Sequence, residues 1–157
     1  MQLLDESQNK IQISHGTKVA YQLSLSVPAG LRIEQNIQFY GDDKFGLIVY
    51  QVSDHDSTSA IIQAVSQAEK KLWSFDLGVF NPSAPLVDDK FVYIAGFDKI
   101  AKLNKHTGQV VWSKERLYDD PAIKFDGGGE IKKEGSYIRF SDKLVVSEQG
   151  HLKADKK

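Results

Sequence analysis

Residues 91–112 read FVYIAGFDKIAKLNKHTGQVVW. Three short runs in and just beyond this stretch, 91–97, 100–103 and 109–114, are rich in β-branched and aromatic residues. Such residues favour a pleated, half-buried surface. Between the runs stand Gly96-Phe97-Asp98 and His106-Thr107-Gly108, both turn signals. Strand, turn, strand, turn, strand is the pattern of an antiparallel meander rather than of a helix.

The same punctuation extends in both directions. In residues 19–27, Val19, Tyr21, Leu23, Leu25 and Val27 fall on one face and Gln22, Ser24 and Ser26 on the other. That period of two is expected of a strand with one buried face. Further short runs lie at 36–40, 45–52, 71–77, 136–140 and 143–146, separated by Gly, Pro, Asn and Asp clusters. The chain therefore reads as all-β and antiparallel. One segment argues back: residues 60–71, AIIQAVSQAEKK, are dense in helix formers and lack Gly and Pro. Local propensity allows a helix of about three turns there. An internal repeat favours a strand and turn instead.

The repeat is carried by two landmarks. Asp42-Asp43-Lys44-Phe45 recurs as Asp88-Asp89-Lys90-Phe91, an offset of 46, and Leu72-Trp73-Ser74 recurs as Val111-Trp112-Ser113, an offset of 39. An insertion around residues 53–59 of the first copy accounts for the difference of seven. The copies span about 36–77 and 84–116, with a weaker third start at Ser141-Asp142-Lys143-Leu144. Divergent or incomplete copies are expected at both ends of a single domain covering 1–157.

In residues 91–112, Gly96 and Asp98 form a Gly-x-Asp turn, Leu103-Asn104 end a strand, and Thr107-Gly108 and Trp112 mark a closing hairpin. This stretch resembles one repeat of the quinoprotein-like (PQQ-like) β-propeller family. The likeness is weak over 45–73, where Ala68-Glu69 stand in place of Thr-Gly. It implies a small or incomplete β-propeller-like array. At roughly 40 residues per four-stranded blade, 157 residues hold about three to four blades. It also implies that Trp73 and Trp112 pack on the neighbouring blade's turn. The quinoprotein enzymes have about twice as many blades as this chain can hold. No cofactor and no catalytic residue is carried over from them.

Composition narrows the chemistry. With no Cys the chain has no disulfide, thiolate metal site or Cys nucleophile. A formal charge of -1, from 20 basic and 21 acidic residues, supplies no field for a polyanion, so nucleic acid is not an expected partner. No apolar run approaches the about 20 residues that span a bilayer, so no membrane insertion is expected. Residues 1–8, MQLLDESQ, carry no basic region followed by an apolar stretch. The compartment stays open: cytoplasmic as it stands, periplasmic if an export signal precedes Met1.

The candidate chemical groups mostly read as turns. Asp54-His55-Asp56 suggests a metal loop, yet an EF-hand from Asp54 needs Gly at Ser59 and Glu at Val65. It reads as a solvated loop, and no metal site is expected. His15, His55, His106 and His151 show no metal-binding spacing, and no Gly-x-Ser-x-Gly surrounds any Ser. Asp126-Gly127-Gly128-Gly129 lacks the following helix of a phosphate loop and reads as a flexible loop. Asp119-Asp120, like the other Asp pairs, reads as a solvated turn.

Phe75, Phe80, Phe97, Tyr118 and Phe125 lie beside turns, where aromatics either plug blade ends or anchor partners. The expected function is a non-catalytic protein-binding module using Asp54, His55, Asp56, Phe80, Phe97 and Tyr118. Its special case is an immunity or inhibitor protein that neutralises a bacterial toxin or effector enzyme, with acidic loops facing a cationic cleft. The alternatives are an envelope assembly scaffold, as some PQQ-like propellers are, and a carbohydrate-binding β protein using exposed Trp73 and Trp112.

Overall fold

The structure, a computed structural model, describes residues 2–5, 10–15, 18–25, 27–34, 37–42, 44–54, 56–66 and 71–153. Every described element is a strand, and every strand pairing within the sheets is antiparallel. The chain divides into two compact units, Met1–Gly78 and Val79–Lys157.

The first unit opens with β1 (Gln2–Asp5), β2 (Lys10–His15) and β3 (Lys18–Ser24), a three-stranded sheet in chain order. The second sheet follows with β4 (Arg32–Ile33), β5 (Gln38–Gly41), β6 (Gly46–Ser53), β7 (Thr58–Val65) and β8 (Trp73–Asp76). Both β4 and β5 pair with β6, opposite its two ends, so together they form one interrupted outer strand. The order is then a four-strand-wide meander. Residues 58–65 are strand β7, paired with β6 over its whole length, so the tertiary ladder outweighs the local helix preference of 60–71. Ile48, Tyr50 and Val52 of β6 and Ile61 and Val65 of β7 bury one face against Ile11, Ile13, Tyr21 and Leu25. Leu47 and Val49 on the other face of β6 are buried too. Burial of both faces explains why this strand reads as an unbroken apolar run and not as an alternation.

The second unit repeats the plan. Strands β9 (Leu86–Val87), β10 (Phe91–Gly96), β11 (Lys99–Asn104) and β12 (Val110–Lys114) form a four-stranded meander. Strands β13 (Lys132–Glu134), β14 (Tyr137–Ser141) and β15 (Leu144–Ser147) form a three-stranded one, extended by a bridge from Val146 to Leu152. The two sheets share a core of Tyr93, Ala95, Ile100, Ile138, Phe140, Leu144 and Val146, closed by Leu117, Phe125 and Ile131 from the long connection between them.

The first of the repeated landmarks is the same turn twice. Asp42 Oδ1 accepts the backbone N–H groups of Lys44 and Phe45 at 2.9 and 3.1 Å. Asp88 Oδ1 accepts those of Lys90 and Phe91 at 2.8 and 2.7 Å. The carboxylate substitutes for the backbone acceptors that a tight turn leaves out, which is why Asp opens both turns. Asn104 does the same for His106 and Thr107 at the next turn, where Gly108 takes φ +75°.

Candidate functional site

One end of the second unit is built from three loops, around Phe80, around Phe97 and over 116–129. The hairpin joining β10 to β11 turns on Phe97 and Asp98, with Asp98 at φ +69°. Phe97 N–H donates to Phe80 O at 2.8 Å, which lays residue 80 alongside the hairpin tip. Asp98 N–H donates to Phe125 O, and Leu117 N–H donates to Asp98 O, both at 3.2 Å. Asp98 Oδ1 accepts Tyr118 N–H at 2.6 Å. Residues 126–129 complete the stitching: Gly128 N–H reaches Asn81 O at 2.9 Å, and Asn81 Nδ2 reaches Asp126 O at 2.9 Å.

Gly127 is required there. With φ +81°, it passes so close to its neighbours that a Cβ would stand 2.5 Å from Asn81 O and 2.7 Å from Phe97 N. The expected flexible loop is thus a fitted connector whose glycines permit close backbone approach. It is no phosphate cradle, because no helix follows: Ile131 and β13 continue directly into the next sheet.

These backbone contacts place three aromatic side chains in a row. Phe80 stacks on Phe97 at 5.0 Å with an interplanar angle of 13°, and Phe97 packs on Tyr118 at 4.9 Å and 36°. Phe80 is 47% exposed and Tyr118 37%, so the outer members keep free ring surface. Lys124 Nζ lies 4.9 Å from the Tyr118 ring centroid. Each ring contact of this geometry adds about 0.5–1.5 kcal/mol beyond area burial. The backbone bonds around Phe80, Asp98 and Tyr118 hold the row in position.

The structure thus brings together Phe80, Phe97 and Tyr118, but not the whole expected set. Asp54 and Asp56 belong to the other unit, and His55 lies outside the described residues. Asp54 Oδ1 accepts the N–H groups of Asp56 and Ser57 at 2.8 and 2.9 Å. These bonds hold its carboxyl below the usual aspartate value, a sign of a self-satisfied turn. Phe75 lies within β8, and Phe125 is a buried plug, 2% exposed and edge-on to Phe140. Among the described residues no group of three or more His, Asp or Glu is placed to hold a metal.

The repeat residues occupy structural positions. Trp73 is 8% exposed. Trp112 donates Nε1–H to Glu148 O at 2.9 Å, and a Cβ on Gly150 would stand 2.9 Å from its ring. The indole therefore lies on the turn after β15. Neither indole offers the exposed platform that a carbohydrate reading asks for.

Sequence reasoning missed two lysines. Lys102 is only 6% exposed, at the centre of a cross-strand row with Tyr93 and Trp112. Its Nζ donates to Glu148 O at 2.8 Å and lies 4.0 Å over the Phe91 ring. Burial pushes its pKa down, partly opposed by Glu148 and Asp88. The same burial, with those two acids, pushes the Tyr93 phenol up to about 12. The available signal was parity: Lys102 shares a strand face with Ile100. Lys124 gives no sequence signal.

No protein-family model matches this chain, and a search of curated proteins returns no significant match.

Proposed function

We propose that this protein is a non-catalytic protein-binding module whose contact surface includes the aromatic row Phe80, Phe97 and Tyr118. The observation that carries this reading is the pairing of exposed ring surface with a fixed backbone. Aromatic anchors cost little ordering entropy on binding when they are already held, and they dominate contact energies. Loop 116–129 sets Asp119, Asp120 and Asp126 against Arg116 and Lys124, a slight acidic excess that favours a cationic partner surface. An inhibitor or immunity protein covering a cationic toxin or effector enzyme is the form of this reading that the charge supports.

The architecture under this reading is a small propeller-like array resembling PQQ-like repeats. Two features support it: successive meanders in chain order, and Trp112 resting on the turn of the following sheet.

The test is affinity capture of the tagged protein from its native cell extract, with salt washing, compared with the double variant Phe80→Ala/Tyr118→Ala. Loss of two anchors should weaken a specific complex at least about 30-fold, the equivalent of 2 kcal/mol. The double variant also loses two ring contacts, so it should stay folded with its stability lowered by about 1–3 kcal/mol. A stoichiometric partner retained undiminished by the double variant refutes the assignment of this surface.

A further inference from the structure

The aromatic row carries an unusual companion. Lys124 sits at φ +47°, a conformation that L side chains rarely adopt, and its own N–H is bonded to Asp120 O at 2.8 Å. This geometry sets its ammonium over the exposed Tyr118 ring, where it forms no ion pair with a described carboxylate. The cation rests on the ring face alone. The Asp98 carboxylate uses Oδ1 for the backbone N–H of Tyr118, and its Oδ2 accepts no hydrogen bond from a described residue. A half-exposed ring whose own backbone N–H is held by a carboxylate with spare acceptor capacity is matched by a planar, weakly hydrated cation with several donors, long enough to stack on the ring and reach toward that carboxylate.

We infer that the Tyr118 face, with Asp98, is a binding site for an arginine side chain of the protein partner, and that Lys124 occupies it in the free protein. This rests on the protein-binding reading above and names the group that the surface recognises. Arginine is favoured over lysine because its guanidinium can stack on the ring while its N–H fork reaches the carboxylate. Lys124 then acts as an internal competitor: its ammonium must leave the ring before the guanidinium can stack.

The experiment is an amide-resolved NMR titration of the full isotopically labelled chain with tetra-arginine, and with tetra-citrulline as the uncharged near-isostere. Tetra-arginine should shift the amides of Phe97, Asp98, Tyr118 and Lys124 saturably, and tetra-citrulline should not. Lys124→Gln should tighten tetra-arginine binding about two- to five-fold by removing the internal cation–π contact. Tyr118→Phe should retain the response and Tyr118→Leu should lose it, which separates the ring face from the hydroxyl. Equal shifts with citrulline, unchanged affinity in Lys124→Gln, or arginine shifts centred on Asp54 and Asp56 would each overturn the inference. A partner lost by Phe80→Ala/Tyr118→Ala but insensitive to Lys124→Gln would overturn it too, while leaving the protein-binding reading standing.

Discussion

Replacing Gly150 by alanine tests whether Trp112 really anchors one sheet of the second unit on the turn of the other. Gly150 has φ +91°, and a Cβ there would stand 2.9, 3.0 and 3.1 Å from three atoms of the Trp112 ring. Carbon atoms prefer about 3.5–4.0 Å, so the indole must move. Its hydrogen bond to Glu148 O moves with it, and that carbonyl also receives Lys102 Nζ. Backbone strain for a non-glycine residue is about 1–2 kcal/mol, and overpacking adds about 1–3 kcal/mol. The expected cost is about 2–5 kcal/mol. Gly129 supplies the control, with φ +71° and nothing within 4 Å of its Cβ position. Gly129→Ala should cost the strain alone. Urea unfolding followed by tryptophan emission reads the difference, using Trp73→Phe so that Trp112 is the sole emitter. In a unit of this size each kcal/mol also lowers Tm by roughly 4–8 °C. In a Trp112→Leu background, followed by far-UV circular dichroism because no indole remains, the excess cost of Gly150→Ala should vanish, a coupling of about 1–3 kcal/mol. Equal costs for Gly150→Ala and Gly129→Ala, or an excess that survives in Trp112→Leu, would refute the packing.

Three further outcomes are expected. Gly127→Ala, whose Cβ would meet only backbone atoms of Asn81, Gly96 and Phe97, should cost about 3 kcal/mol or more and shift the ring resonances of the aromatic row; a variant as stable as Gly129→Ala contradicts the fitted connector. Asp42→Ala and Asp88→Ala should each lose about 1 kcal/mol in denaturant unfolding, whereas Asp42→Asn and Asp88→Asn keep the acceptor and stay near neutral. The Tyr93 phenol keeps its proton to about pH 12 when folded and releases it near 10 when unfolded, so the unfolded state binds fewer protons between these values. Its stability contribution, roughly 2–3 kcal/mol, is complete below pH 10 and lost as pH rises toward 12. Phenolate absorbance should lose a late-titrating component in Tyr93→Phe; a difference titration with no such component refutes the burial effect.

Short-range chemistry was legible in the sequence. The all-β class followed from period and punctuation, and the turn residues Asp42, Asp88, Asn104 and Gly108 act within three or four positions of themselves. A carboxylate or amide beside a turn needs no distant partner, so its role survives translation from letters to structure. Several strands were not singled out: β1 and β2 precede the first run that was read, although β2 alternates Ile11 and Ile13 with polar residues, and others carry no such signal in their composition. Strands β4 and β9 have two residues each, and β13 is Lys-Lys-Glu, exposed throughout and placed by its pairing with β14. Residues 60–65 show the converse, helix formers placed in a strand because the ladder to β6 and burial of Ile61, Ile62 and Val65 outweigh propensity.

The candidate site divides in the same way. Phe80, Phe97 and Tyr118 stood out as loop aromatics, but their stacking depends on Phe97 N–H meeting Phe80 O and Tyr118 N–H meeting Asp98, contacts across 17 and 20 residues. Phe75 and Phe125 carried the same sequence signal and took structural places instead. By itself the sequence determined the all-β strand class, the turn chemistry and the absence of cysteine chemistry, because each depends on composition or on neighbours a few bonds away. The tertiary structure alone decided which aromatics emerge together, that Lys124 lies over Tyr118, and that Trp112 and Lys102 converge on Glu148 O, because loop closure brings those groups together and no local pattern encodes it.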